Sequence, residues 1–266
     1  MTTGGILCVF AHPDDEQFGT SGALLACIER GIRVDLLCAT HGEGGEISDP
    51  ALATPETLAA VREGELRTSC AMLGIQPPRL LDYPDGGLGE VDRAELVDRI
   101  VETMLEVRPR VVITFDANGG YGHPDHIAIH HATVDAVARA GVAGHRIDKL
   151  YATAYPRSII EPMNDGMVAL GMPPLNFGDV QTISADDFGT PDEQVTTVVP
   201  VAHLFERRIA SLFAHRTQYG AEHYLARFPE ELMRRLLAFD YFVRLHPSPP
   251  DGAWLPDEND LWNGLK

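Results

Sequence analysis

The chain has 266 residues, 44% of them hydrophobic, enough for one large α/β domain with a proper core. Its 39 acidic residues against 21 basic ones give a formal net charge of -18, which argues against nucleic acid and anionic membrane surfaces as partners and for a small polar substrate. Cys8, Cys27, Cys38 and Cys70 form no CxxC pair and read as reduced core thiols, the start Met-Thr-Thr-Gly-Gly lacks a signal-peptide pattern, and no apolar stretch reaches the roughly 20 residues that span a bilayer, so the expected location is cytoplasmic.

Ile6 to Phe10 is a short apolar run suited to a strand buried on both faces, followed through a polar turn by a helical pattern from about Phe18 to Arg30. A second strand over Val34 to Ala39 leads through a Gly/Glu-rich loop to a helix from Pro55 to Leu73. Leu80 and Leu81 mark a short third strand, Val91 to Val107 a helix, Val111 to Phe115 a fourth strand, and Pro124 to Ala140 the next helix. This alternation predicts an α/β fold with a doubly wound, mostly parallel, Rossmann-like sheet of order 3-2-1-4-5 and helices on both faces. Beyond it, Leu150 to Ala154 reads as a fifth strand, and Glu161 to Gln194, rich in Pro, Gly, Asp and Met, as a long loop or small subdomain. A helix over Ala202 to Phe213, a last strand over Phe239 to Leu245 and an irregular tail after Pro247 complete the chain. The expected division is a catalytic core over 1–160, with 161–266 completing the same domain and shaping the substrate pocket.

Two clusters stand just after predicted strands: Ala11-His12-Pro13-Asp14-Asp15-Glu16 after the first, and Gly122-His123-Pro124-Asp125-His126 after the fourth. In a 3-2-1-4-5 sheet these strands are neighbours where the winding reverses, and ligands bind in the crevice outside their carboxyl ends. Catalytic zinc takes three protein ligands drawn from His and carboxylates and keeps one position open, an inventory the two clusters supply.

AHPDDE after the first strand together with GHPDH after the fourth resembles the LmbE-like, or PIG-L, family of de-N-acetylases. Supporting segments are His41-Gly42-Glu43-Gly44-Gly45-Glu46, Arg62 to Leu66, Tyr83-Pro84-Asp85-Gly86 and Ala214-His215-Arg216-Thr217-Gln218. The resemblance implies a metal-dependent hydrolase that removes an N-acyl group, most often acetyl, from an amino sugar or related small amide. It implies His12, Asp15 and His126 as metal ligands, Asp14 as general base and His123 as the group that steadies the oxyanion. Asp125 would orient a neighbouring histidine, and Glu46, Arg62, Asp85 and Tyr121 would face the substrate. The metal would be Zn2+, although Fe2+, Co2+ and Mn2+ suit the same donors.

Plainer readings compete. Asp14 to Glu16 can serve as helix-dipole acids, Arg62 can pair on its helix surface, Glu43 and Glu46 can be a solvated loop, and His215 can be a helix-end residue. His126 and His130 have the i, i+4 spacing of a zinc helix, but Ile127 stands where H-E-x-x-H needs Glu. Among rival functions, a dinucleotide-binding module would need G-x-G-x-x-G where this chain has AHPDDEQFG. A metal module without catalysis and an amidase for larger acyl groups, such as sugar-thiol conjugates, share the same donors.

Overall fold

The computed structural model describes residues 4–169, 171, 189–221, 223–250 and 256–265. β1 (Ile6–Phe10), β2 (Val34–Thr40) and β4 (Val111–Thr114) are buried along their whole length, as continuous apolar runs in a two-sided parallel sheet require. With β3 (Arg79–Tyr83) and β5 (Lys149–Ala154) they form the expected parallel order 3-2-1-4-5. β6 (Thr197–Pro200) and β7 (Phe239–His246) extend the sheet beyond β5 as β5-β7-β6, both paired antiparallel, which makes seven strands.

Four helices connect the parallel strands: α1 (Ser21–Glu29), α2 (Leu58–Leu73), α3 (Arg93–Val107) and, after the single turn α4 (Gly119–Gly122), α5 (Pro124–Val142). Their ends are set locally. Asp92 caps α3 by accepting from the Ala94 N–H, and Gly74 closes α2 with φ +89°, a conformation that is costly for a residue with a Cβ. Right-handed crossovers place α1 and α2 on one face of the sheet and α3 and α5 on the other, because the winding reverses between β1 and β4.

The structure corrects several expectations. Helix α1 begins at Ser21 rather than near Phe18, and its first turn holds no acidic residue, so Asp14 to Glu16 are not helix-dipole acids. The stretch expected to lack period from Glu161 begins inside a helix, α6 (Arg157–Ala169), which tolerates Pro162; residues 170 and 172–188 of that stretch lie outside the described residues. The helix expected over Ala202 to Phe213 is a 3-10 turn at Ala202–Leu204 followed by an α-helix over Phe205–Leu212. Strand β6 and the short helices Tyr224–Arg227 and Glu230–Leu236 were not legible in the pattern. In the tail, where 251–255 lie outside the described residues, Glu258 accepts from Lys149 Nζ at 2.5 Å and from Tyr151 Oη at 2.6 Å, tying the C-terminal segment to β5.

Candidate active site

Between β1 and α1, residues 11–20 make no helix, and side chains close the turn instead. One Asp15 oxygen accepts the backbone N–H groups of Ala11 and His12, at 3.2 and 2.6 Å, so the carboxylate is locked beside His12. The second cluster is a regular helix start: His123 is the N-cap of α5, its Nδ1 accepting the Asp125 N–H, and Pro124 occupies the first turn, where its missing N–H costs nothing.

The crevice between the carboxyl ends of β1 and β4 brings these turns together. His12 Nδ1 lies 3.1 Å from His126 Nε2, and the Asp15 carboxylate lies 3.5 Å from the first and 3.4 Å from the second. Tetrahedral ligands at 2.0–2.1 Å from zinc stand about 3.3 Å apart, so this donor triangle has the size of a zinc face. The ligating atoms of His12, His123 and His126 also fall within 4.8 Å of one another, as do those of His12, Asp85 and Asp125. The described residues thus include His/Asp groups able to hold a metal ion.

Charge states are set by the surroundings. Burial pushes His126 down to about 4, leaving it neutral, and its Nδ1 meets the Gly119 carbonyl at 3.2 Å, which directs the Nε2 lone pair toward His12. Its ring stacks on Phe115 with centroids 3.8 Å apart. Burial also opposes charge on His12, but its hydrogen bonds to Asp125, Asp15 and Asp85 outweigh that effect and shift the ring well above its usual range, so a metal ion bound at Nδ1 would have to displace a proton there. Asp15 is pushed up by burial, yet the neighbouring His126 and His12 bring it down to about 2. Two carboxylates, Asp85 at 3.0 Å and Asp125 at 3.2 Å, meet His12 Nε2; this fixes the ring and leaves Nδ1 for the triangle.

Asp14 projects beside this triangle with φ +113°, where side-chain-bearing residues are rarely found. Its Oδ2 accepts from Tyr219 Oη at 3.1 Å and faces Arg62 Nη2 at 3.2 Å. Burial pushes its carboxyl up to about 6 against the opposing pull of Arg62, a value suited to proton transfer near neutral pH. Burial, followed by the charge of His12, lowers His123, so it is neutral.

The other anticipated residues surround these groups. Arg62 is only 4% exposed and donates to the Gly42 and Pro13 carbonyls at 2.8 and 2.5 Å, so it clamps both loops rather than pairing on a helix surface. Asp85 is held by the Gly44 N–H at 2.9 Å and by His12. Glu46 is exposed on the cleft rim, while Glu43 is more than a solvated loop residue, accepting the Asp85 N–H at 2.9 Å. Tyr121 sets its ring edge-on to His126 and His123, with centroids 5.4 and 5.8 Å away. Asp125 is fully buried and accepts the Gly86 and Leu88 N–H groups at 2.7 and 3.0 Å. His130 bonds the Phe115 carbonyl at 2.7 Å rather than joining the triangle.

Two features were missed or undervalued in the sequence. Tyr219 reaches Asp14 across 205 residues, and His215, read as a helix-end residue, is wholly buried with Nε2 2.6 Å from Glu16 Oε1. The family-like segment Ala214 to Gln218 was the available signal for His215; nothing in the local pattern marked Tyr219. The resulting cleft encloses about 560 Å³, and its lining combines the acidic and imidazole groups with Phe18, Tyr155, Met163, Leu236 and Tyr241.

Residues 7–137 match the family model described as PIG-L: GlcNAc-PI de-N-acetylase. Over 98% of its length the chain is 34% identical to a 1D-myo-inositol 2-acetamido-2-deoxy-alpha-D-glucopyranoside deacetylase from Acidothermus cellulolyticus, covering 94% of that protein. The chain belongs to the PIG-L family. The matched segment of this PIG-L chain runs from β1 into α5 and so contains both turns of the cleft. Among solved structures, the N,N'-diacetylchitobiose deacetylase from Pyrococcus horikoshii aligns with a TM-score of 0.64 at 20% identity, over 93% of this chain and 88% of its own. GalB, the 4-carboxy-2-hydroxymuconate hydratase from Pseudomonas putida KT2440, aligns at 0.65 with 16% identity, over 94% and 100%. These two likenesses establish the fold. A deacetylase and a hydratase share it, so the chemistry of this PIG-L member has to be argued from its side chains.

Proposed function

We propose that this chain is a zinc-dependent N-deacetylase acting in the cytoplasm on a small acetylated amino sugar, such as the inositol-linked glucosamine for which its Acidothermus relative is named. The observation that carries this reading is the donor triangle of His12, Asp15 and His126 with Asp14, at about 6, beside it. The donors fit zinc in number, type and spacing, and all three side chains are nearly buried. When bound, zinc supplies Lewis-acid polarisation of the amide carbonyl and lowers the pKa of water to about 7.

The chain's own groups do the remaining work. Asp14 takes the proton of the attacking water, with Tyr219 and Arg62 fixing its Oδ2. His123 Nδ1 is occupied by the Asp125 N–H, so its ring proton sits on Nε2, from which it hydrogen-bonds the oxygen that gains charge. Asp14 then returns the proton to the nitrogen as the C–N bond breaks, giving acetate and the free amine. Glu46, Asp85 and Tyr121 border the sugar.

The test pairs metal analysis with free-amine release on a panel of N-acetylated amino sugars, with and without chelator. About one zinc per chain and chelator-sensitive amine release are expected; a protein that takes up no divalent metal sinks the mechanism. The apolar side chains in the cleft lining favour a second reading, an amidase for larger acyl groups. Activity that rises from acetyl to butyryl to hexanoyl amides of one amino sugar selects that reading, and a fall selects the deacetylase.

A further inference from the structure

Asp14 holds a backbone conformation, φ +113°, that is strained for a residue with a side chain and persists only where its surroundings over-determine it. On its carbonyl side Asp14 accepts the Gln17 N–H at 2.9 Å, and on its amide side its N–H donates to Glu16 Oε2 at 3.0 Å, the one of these two backbone bonds made by a side chain. Glu16 is 1% exposed and is not among the residues that line the cleft. Its other oxygen, Oε1, accepts from three side chains: Ser69 Oγ at 2.5 Å, Gln17 Nε2 at 2.8 Å and His215 Nε2 at 2.6 Å. Ser69 lies on α2, and His215 comes just after the helix Phe205–Leu212, so the carboxylate is fixed from two separate helical segments.

We propose that Glu16 is a positioning residue that holds the general base Asp14 in its strained turn, aimed at the reaction centre. The proposal rests on the reading of Asp14 as general base. A buried pair such as Glu16 and His215 is weak support for stability, because desolvation offsets its attraction. Its geometry accounts for it otherwise: Oε1 anchors the carboxylate to the scaffold, and Oε2 is left for the Asp14 N–H. A glutamine of the same shape cannot do both. Its amide nitrogen would face either the Asp14 N–H or, at the Oε1 position, the Gln17 Nε2 amide, donor against donor, and would force Ser69 and His215 to turn from donors into acceptors.

The experiment compares Glu16→Gln, Ser69→Ala and Asp14→Asn for zinc content, melting temperature, and kcat and KM of amine release from the best N-acetylated amino sugar of the panel. Glu16→Gln should keep its zinc and its KM within about threefold while kcat falls ~100-fold, the size expected when a catalytic group is displaced by about 1 Å. Ser69→Ala removes one of the donors that hold Oε1, and should lower kcat several-fold at an unchanged melting temperature. Should Glu16→Gln fail to fold, Ser69→Ala decides: an unchanged kcat overturns the proposal and a selective loss of kcat upholds it. The proposal is also overturned if Glu16→Gln keeps kcat within about twofold, or loses zinc in step with activity, which would place its effect on Asp15. A fully active Asp14→Asn would instead sink the general-base reading itself.

Discussion

The tripeptide His-Pro-Asp occurs at residues 12–14 and again at 123–125, and the two copies fold differently. At 123–125 it opens a helix: His123 caps, Pro124 takes the first turn, and Asp125 folds inward to serve His12 and the Gly86 and Leu88 N–H groups. At 12–14 the chain does not enter a helix. The next two residues, Asp15 and Glu16, use their carboxylates to take the backbone N–H groups of Ala11, His12 and Asp14, and the chain kinks until Asp14 faces the cleft. After Asp125 come His126, Ile127, Ala128 and Ile129, a helical sequence with Ile129 fully buried in the core. The difference teaches that a motif's third residue acquires its role from the residues on its C-terminal side and from the groups that bury it.

Exchanging these roles would break the comparison, and four variants test it in descending order of effect. Asp14→Ala should retain metal and lose ~10²–10⁴-fold in kcat, the range of the general base proposed here; assays of amine release beside metal content read this directly, and full activity would return Asp14 to a structural role. His123→Ala should cost ~100-fold in kcat with metal retained if the oxyanion role proposed for it holds, the usual size for loss of one such donor. Metal loss in that variant would move His123 into the donor triangle, an arrangement its proximity to His12 and His126 permits.

Asp125→Asn should act through the metal instead, weakening its affinity ~10–100-fold in a competition titration, because the amide cannot serve Gly86, Leu88 and His12 together. If Asp125→Asn kept metal and lost only kcat, the two aspartates would have similar roles and the contrast between the copies would fail.

The smallest effect is a reference away from both turns. Burial raises Glu258, but hydrogen bonds from Lys149, Tyr151 and Arg244 outweigh it and hold the carboxyl below its usual range. Its contribution to stability is therefore present above the unfolded pKa of about 4.3 and is lost as pH falls through the lower folded value. Glu258→Gln should flatten the acid fall of the melting temperature below about pH 4.3 while leaving amine release at neutral pH unchanged. A change in kcat would show that the C-terminal tail reaches the site.

The first half of the fold was legible because its signals are short-range. Runs such as Ile6–Phe10 and Val111–Thr114 are apolar throughout, Pro124 marks a helix start, and strand-helix alternation restricts the winding to one hand. The C-terminal part carries weaker signals. β6 is four residues ending in Pro200 and exists by pairing with β7, about 40 residues on, while α6 contains Pro162 and Gly166, which lower any local helical score. In the site, the two clusters were visible as clusters, and the crevice between β1 and β4 brings them within 3.1 Å.

The sequence by itself determined the α/β class and the placing of a His-Pro-Asp cluster just after each of two strands, since each depends on neighbours a few positions away; the order of the parallel strands followed from the commonest winding for that class. Only the tertiary structure decided which aspartate faces the cleft and which is buried, that burial lowers His126 while neighbouring carboxylates raise His12, and that Glu16, His215, Arg62 and Tyr219 gather behind and around Asp14. The physical reason is that a carboxylate's or imidazole's role is set by its burial and by the donors and charges within a few ångströms. Here those partners lie as many as 205 residues away along the chain.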